Sequence, residues 1–143
     1  MQGHYNLIYR EEEREMNPYC KETGVALVPY SSLASGRLAC DWDVETKLAQ
    51  SDTNAKRKYD STKETDKAII DAVGEVASKH GVRRAQIALA WLWAKGVNSP
   101  VVGATKEKYL DDFVAALDVK LEDEDIHSLE ERYVPHQHHL LRY

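Results

Sequence analysis

The chain has 143 residues, of which 43 % are hydrophobic, and its formal net charge is −5. This length suits one domain with its own core, and the negative charge excludes a surface that follows nucleic-acid phosphates, which needs clustered positive charge. No apolar stretch approaches the ~20 residues of a membrane helix, and residues 1–10 carry no basic region followed by an apolar one. We therefore expect a cytoplasmic protein of a single domain, 1–143.

The N-terminal residues predict a short strand followed by a helix. Residues 4–9 are aromatic and branched, which favours a strand, and residues 10–23 are charged with a helical apolar side that ends at Gly24. Cys20 and Cys40 have no Cys-x-x-Cys or Cys/His ligand spacing. We expect them to be ordinary reduced thiols, and we expect no metal site.

Residues 25–38 form the stretch around which the chain is organised. The apolar run 25–28 does not alternate with polar residues, so it predicts a strand covered on both faces. A loop of hydroxyls, small residues and Gly36 follows it. That composition lets backbone amides approach an anionic ligand beyond a strand end, which predicts a binding site here.

A polar segment, 39–60, has no sustained period and is predicted to be a long variable loop, of the kind that forms lids or inserts. The spacing Ser61-x-x-Glu64 then indicates a capping box that starts a helix, with its stop at Gly81. Within this region Tyr59-x-x-x-Lys63 imitates the catalytic pair of short-chain dehydrogenases. Because the Gly-rich dinucleotide turn of those enzymes is absent, we interpret the pair as part of a solvated loop.

The C-terminal half predicts three helices and one strand. A dense apolar helix covers 84–95, and its Trp91 and Trp93 point to different sides, towards core and interface. Residues 100–102 predict a short buried strand that leads through the turn 103–106 into the second helix of this half. A last helix over 123–132 is capped by Asp123 and followed by a tail without period. We interpret the tail histidines as incidental: His136, His138 and His139.

The order of elements predicts an α/β fold with parallel strands joined by right-handed crossovers. Three strands are few for a sheet covered on both faces, while a (β/α)8 barrel typically takes about 250 residues. We therefore expect part of such a barrel.

Five motifs in order resemble the C-terminal part of an aldo-keto reductase, of the bacterial NADPH-dependent kind. They are MQGHYN at 1–6, VPYSSLASGRL at 28–38, QIALAW at 86–91, PVVGATK at 100–106 and LEE-x-YVPH at 129–136. The resemblance implies a partial (β/α)8 TIM barrel, roughly strands 6 to 8 with their helices and the C-terminal helix. It also implies an oxidoreductase that binds NADPH/NADP at the strand ends and passes hydride to a small carbonyl substrate, an aldehyde or ketone.

The same resemblance assigns cofactor contacts residue by residue. Gln2 would hold the nicotinamide carboxamide, and Tyr30 would stack on the nicotinamide ring. The pyrophosphate would run along Ser31, Leu33, Gly36 and Leu38. The adenosine end would lie on residues 103–112, with Lys106 for a 2′-phosphate and Asp112 near the adenine; Gly103 and Thr105 belong to the turn before Lys106.

Three departures from the family pattern qualify the resemblance. Ser32 stands where the family usually has proline, and Phe113 stands where many members have an adenine-binding asparagine. The family's catalytic Asp, Tyr, Lys and His lie on the first four strands, so no catalytic residue is assigned here. Without an acid tyrosine the chain alone should not reduce carbonyls, since such catalysis contributes roughly 10²- to 10⁴-fold. The alternative is a non-catalytic nucleotide-binding or interaction module.

Three parallel strands cut from a barrel leave two open edges and an apolar inner face, which favour pairing with another chain. We therefore expect a homo-oligomer. The sequence leaves open which carbonyl is the substrate and whether NADP or NAD is preferred.

Overall fold

A computed structural model describes residues 1–42, 44, 53–59 and 62–136. Short 3-10 turns cover Glu11–Glu13, Ala34–Ala39 and Ala116–Asp118. The α-helices of the described residues are α1 (Met16–Thr23), α2 (Thr53–Tyr59), α3 (Lys63–His80), α4 (Arg84–Ala94), α5 (Glu107–Ala115) and α6 (Asp123–Glu130). None of these helices combines the length and the apolar character needed to cross a lipid bilayer.

Three segments, 1–4, 25–30 and 98–102, lie side by side in parallel. The only bridge of strand type between them in the described ranges joins His4 to Tyr30, so the predicted strands 25–28 and 100–102 are not regular strands. Each segment shares too few hydrogen bonds with its neighbour to build a ladder. The backbone N–H bonds are Val28 N to Met1 O (2.8 Å), Tyr30 N to Gly3 O (2.9 Å), Asn98 N and Ser99 N to Leu27 O (3.0 and 3.2 Å) and Val101 N to Pro29 O (2.8 Å).

The predicted strand over 4–9 is wrong, because the chain reverses direction there. Asn6 and Tyr9 exchange both backbone hydrogen bonds at 3.1 Å in an antiparallel bridge. The Asn6 side-chain oxygen also accepts the Ile8 N–H at 3.0 Å. An asparagine side chain that bonds the backbone two residues on stabilises a turn, and here it overrides the strand preference of the neighbouring residues.

The expectation that segments 25–28 and 100–102 are covered on both faces is also wrong. Leu27 and Val102 pack against the core, whereas Val25 and Val101 are 44 % and 42 % exposed. Helices therefore cover one face of the paired segments and leave the other open.

Helices α3 and α4 pack against each other and form most of the core. They end as predicted, at Gly81 and Gly96, which adopt left-handed φ values of 65° and 87° that glycine tolerates. The predicted cap Ser61 lies outside the described residues, and α3 begins at Lys63. Trp91 is fully buried and Trp93 is half-buried, which confirms that they point to different sides.

The C-terminal part corrects two expectations. Helix α6 is capped by Glu122 instead of Asp123. The tail was expected to lack order from 133, yet residues 133–136 pack against the N-terminal turn. Glu11 accepts hydrogen bonds from the Tyr133 hydroxyl and the His136 backbone N–H, both at 2.9 Å. His138 and His139 lie outside the described residues.

Asp125 joins α6 to the end of α3 and gives the fold a pH dependence. Its carboxylate lies 2.7 Å from Lys79 Nζ and 2.8 Å from His80 Nε2, and it accepts the Glu122 N–H at 3.0 Å. Burial alone would raise the pKa of Asp125, but these hydrogen bonds outweigh burial and lower the pKa from 3.8 to about 2.

A pKa lower in the folded state means that Asp125 stabilises the fold above pH 3.8 and loses this effect as the pH falls towards 2. Between pH 4 and pH 2 the wild type should therefore lose about 1–2 kcal/mol more stability than Asp125→Asn, which cannot titrate. Urea unfolding at each pH measures this difference. Parallel pH profiles for the two proteins would contradict the assignment.

Candidate functional site

Two turns meet at one end of the paired segments. The turn 31–38 follows segment 25–30, and the turn 103–106 follows segment 98–102. Ser32 Oγ donates to the Val101 carbonyl at 2.9 Å, which ties the first turn to the end of the third segment. Because the segments run in parallel, both turns leave from the same end. That one extended ligand contacts both turns stays a prediction.

The turn 31–38 has an unusual backbone. Ser31, Ala34, Ser35 and Gly36 have φ values of 61°, 48°, 56° and 92°. Residues other than glycine rarely adopt this region, and such strained positions cluster where a ligand is held. The result is a tightly curled turn immediately after Tyr30.

Two backbone N–H groups of the turn 31–38 donate hydrogen bonds to a carbonyl of the same turn. Gly36 N–H and Leu38 N–H both donate to the Leu33 carbonyl, at 2.9 and 3.3 Å. The Leu38 side chain is fully buried, while Leu33 is half-buried. Gly36 and Leu38 therefore shape the turn, and the Leu38 side chain belongs to the core. A position of the pyrophosphate along Ser31, Leu33, Gly36 and Leu38 stays a prediction.

Tyr30 lies at the mouth of the site, 39 % exposed. His4 stacks on it with ring centroids 5.3 Å apart and an interplanar angle of 18°. Lys58 Nζ lies over the Tyr30 ring, 4.7 Å from its centroid. Gln2, in the neighbouring segment, is exposed. The structure thus brings Gln2, Tyr30 and Ser31 to one region.

Beside Tyr30 lies a buried polar cluster, formed by His4, Asn6, Ser31 and Tyr59, that the sequence analysis missed. The Tyr59 hydroxyl lies 2.6 Å from His4 Nε2 and 3.2 Å from Ser31 Oγ, and it accepts a bond from Asn6 Nδ2 at 3.0 Å. Asn6 Nδ2 also donates to the Ser31 carbonyl at 2.9 Å. These bonds attach the end of α2 to the floor of the site.

Both titratable members of this cluster are held neutral. Burial lowers the pKa of His4 to about 3, and electrostatic repulsion from the nearby Lys58 ammonium acts in the same direction. Burial raises the pKa of Tyr59 to about 12, although its hydrogen bonds with Ser31 and Asn6 act in the opposite direction. The cluster is therefore a network of neutral hydrogen-bonding groups at neutral pH.

The structure corrects two predictions for residues 39–60. The segment was predicted to be a loop, but Thr53–Tyr59 is helix α2. Tyr59 was interpreted as solvated, but it is 1 % exposed, whereas Lys63 is exposed as expected. Polar residues at alternate positions 4 and 6 within an apolar run are the signal in the sequence that could have indicated a buried polar partner.

The second turn, 103–106, is exposed to solvent. Gly103, Thr105 and Lys106 are exposed, and a Cβ added at Gly103 would meet nothing within 4 Å. Lys106 directly precedes α5, where the helix dipole favours an anion. Asp112 is half-buried on the same helix, and its carboxylate pairs with Arg83 Nε at 3.3 Å. The turn therefore combines space, a cation and a helix N-terminus.

Within the described ranges, no group of three or more His, Cys, Asp or Glu side chains is placed to hold a metal ion. The polar groups at the two turns are instead hydroxyls, backbone groups and the cations Arg37 and Lys106. These groups suit an anionic organic ligand.

Known proteins of one family are similar to this chain in sequence. A sequence profile described as "Aldo/keto reductase family" matches residues 1–133. The chain is 46 % identical over 140 residues to the versiconal hemiacetal acetate reductase of Aspergillus parasiticus, covering 94 % of this chain and 40 % of that protein. It is 44 % identical over 135 residues to a putative aryl-alcohol dehydrogenase of Schizosaccharomyces pombe, covering 94 % and 38 %. Both relatives are fungal, whereas a bacterial kind was expected.

A solved structure is similar as well. It is a thermostable aldo-keto reductase, Tm1743, in complex with the inhibitor epalrestat, with a TM-score of 0.66 and 26 % identity. The match covers 92 % of this chain and 38 % of that one. The chain thus spans about two fifths of the length of the proteins that it resembles.

Proposed function

Because the chain belongs to the aldo/keto reductase family, we propose that it is the cofactor-binding portion of an NADPH-dependent oxidoreductase. It corresponds in this proposal to roughly strands 6 to 8 of a (β/α)8 barrel, with their helices, in a cytoplasmic enzyme. The observation that carries the proposal is the position of the two turns, which leave the parallel segments at the same end and are tied by the Ser32 to Val101 hydrogen bond.

The nicotinamide end of the cofactor is proposed to lie at Tyr30. A partly exposed aromatic ring beside an amide side chain, Gln2, and a hydroxyl, Ser31, would supply stacking and polar contacts for the ring and its carboxamide. When bound, reduced nicotinamide supplies the hydride for a carbonyl group. The curled turn that contains Leu33 and Gly36 follows directly and is proposed to guide the pyrophosphate.

The adenosine end is proposed to lie at the second turn. Lys106 and the start of α5 favour a 2′-phosphate dianion, which supports NADPH over NADH. Gly103 and Thr105 line the same exposed turn, and the absence of any atom within 4 Å of a Gly103 Cβ leaves room for a close approach. Asp112, already paired with Arg83, is proposed to lie near the adenine.

Titration of the chain with NADPH, followed by cofactor fluorescence, tests this proposal. Lys106→Ala should weaken NADPH binding about tenfold, because a hydrogen bond to a charged group contributes about 1.5 kcal/mol. The same variant should leave NADH binding almost unchanged, since NADH has no 2′-phosphate. Tyr30→Ala should weaken both.

Lys120→Ala is the matched control, because Lys120 is also an exposed cation but lies after α5 and away from the turn. It should bind NADPH as the wild type does. Absence of saturable binding at millimolar NADPH, or equal losses in Lys106→Ala and Lys120→Ala, would contradict the proposed function.

The reduction of aldehydes or ketones is proposed for a longer protein that carries the other strand-helix units, because the family's catalytic tetrad belongs to strands outside this chain. The chain alone should bind NADPH without oxidising it when small aldehydes are added. Absorbance at the nicotinamide band measures this. Turnover by the isolated chain would overturn the inactive assignment and place an acid group within it.

Self-association is the remaining part of the proposal. Met1, Val25 and Val101 leave apolar surface exposed on the paired segments, at 44 %, 44 % and 42 %. Such a face favours pairing with a second copy. Light scattering should therefore give at least a dimer mass, and Val25→Lys with Val101→Lys should shift it to the monomer. A monodisperse wild-type monomer would contradict the proposal.

A further inference from the structure

The end of helix α2 lies in the part of the site assigned above to nicotinamide. Lys58 and Tyr59 are consecutive residues, and each contacts one of the two residues at that end. The Lys58 ammonium lies over Tyr30, and the Tyr59 hydroxyl bonds to Ser31. The last two side chains of α2 therefore contact Tyr30 and Ser31, the residues that are proposed to contact the nicotinamide end of the cofactor.

The Lys58 contact uses the ring face that stacking requires. Its Nζ lies 4.7 Å from the Tyr30 centroid, a distance typical of a cation–π interaction. Stacked rings have centroids about 4.5–7 Å apart, so a nicotinamide cannot stack on that face while the ammonium occupies it. His4 already stacks on Tyr30 at 5.3 Å. Tyr30 therefore has an aromatic and a cationic neighbour from the chain itself.

The Tyr59 contact holds α2 in place. Tyr59 is 1 % exposed, its hydroxyl lies within hydrogen-bonding distance of His4, Asn6 and Ser31, and the Arg37 guanidinium lies 5.1 Å from its ring centroid. The three polar partners come from the first segment (His4), from the chain reversal after it (Asn6) and from the turn 31–38 (Ser31). These contacts anchor Lys58 over Tyr30 through the adjacent residue.

We propose that Lys58 and Tyr59 form an internal plug that competes with the nicotinamide end of the cofactor, so that NADPH binds only when the end of α2 leaves the site. This inference rests on the proposed function. A protein whose competent state is only partly populated binds with an affinity reduced by that fraction, and each contact of the plug lowers the fraction. Loosening the plug should therefore tighten cofactor binding.

The test compares NADPH titrations of the full chain and three variants. Tyr59→Phe keeps the ring and removes the hydroxyl, Lys58→Met removes the cation over Tyr30, and Lys56→Met removes an exposed cation of the same helix. Tyr59→Phe and Lys58→Met should each lower the dissociation constant about three- to tenfold, while Lys56→Met should not lower it. Removing a positive charge would by itself weaken binding of an anion, so a gain in Lys58→Met points to the plug.

Amide hydrogen exchange of residues 53–59 gives a second readout, independent of the variants. NADPH should speed exchange there in the wild type, because α2 must detach. Slower exchange with NADPH, or unchanged or higher dissociation constants in Tyr59→Phe and Lys58→Met, would overturn the plug while the proposed function stands. Absence of saturable NADPH binding in the wild type and in every variant would instead overturn the proposed function, and the plug with it.

Discussion

Trp91→Ala should lower the free energy of unfolding by about 4 kcal/mol, the cost of removing a large aromatic side chain from a core. Trp91 is fully buried in α4, with its ring centroid 5.3 Å from that of Tyr5. Its Nε1 donates to Glu130 at 2.8 Å, which joins α4 to α6. The variant loses packing and leaves that carboxylate without this donor. Urea unfolding followed by circular dichroism measures the change.

Trp93→Ala is the matched control, because the same residue type two positions along the helix is only half-buried. It should cost less than half as much. Since a domain of this kind has about 5–15 kcal/mol of stability, Trp91→Ala should be close to unfolding while Trp93→Ala stays folded. Equal costs for the two variants would contradict the placement of Trp91 at the centre.

Glu11→Ala should lower the free energy of unfolding by about 3 kcal/mol, because it removes a buried charged acceptor from several partners at once. The Glu11 side chain is 2 % exposed and pairs with Arg14 Nη2 at 2.9 Å. It also holds the Tyr133 hydroxyl and the His136 N–H, so it fixes residues 133–136 to the N-terminal turn. Urea unfolding again gives the magnitude.

Limited proteolysis separates this local role from a general loss of stability. Glu11→Ala should expose the bonds after residue 132 to protease at urea concentrations that leave the core folded, whereas Glu15→Ala, an exposed carboxylate nearby, should behave as the wild type. A Glu11→Ala protein with an equally protected tail would show that other contacts hold these residues.

The helices are the part of the fold that the sequence predicts best. Helices α3 and α4 carry long apolar periods, and each is followed by a glycine in the left-handed conformation, Gly81 or Gly96. The apolar period and the terminal glycine each depend only on neighbouring residues, so the folded structure agrees with both predictions. The cap of α6 differs from the prediction because Asp is a favoured cap type and Glu is not, yet the Glu122 carboxylate accepts the backbone N–H at the helix start.

One failure has a local cause: residues 4–9 have strand composition, but the Asn6 side chain accepts the Ile8 N–H two residues on and stabilises a turn. The other failures have long-range causes. The order of residues 133–136 depends on Glu11, more than 120 positions away. Tyr59 sits in a polar run, and only contacts with His4, Asn6 and Ser31, distant in sequence, bury it. No window of neighbouring residues contains these partners.

Only the local features of the candidate site could be predicted from the sequence. The composition of the turns 31–38 and 103–106 is local, and the resemblance assigned individual residues to them. The use of the Gly36 and Leu38 amides inside the turn, and the occupation of Tyr30 by Lys58, follow only from three-dimensional contacts. Contacts of Tyr30 with Lys58 and of Ser31 with Tyr59 involve residues that the resemblance did not assign to the site.

The central claim is that the two turns bind one nucleotide together, and amide hydrogen exchange with and without NADPH tests it most directly. NADPH should slow exchange in residues 31–38 and in residues 103–106 with the same concentration dependence, because one molecule contacts both. Protection of only one turn, or protection of the two turns at different NADPH concentrations, would contradict a shared site.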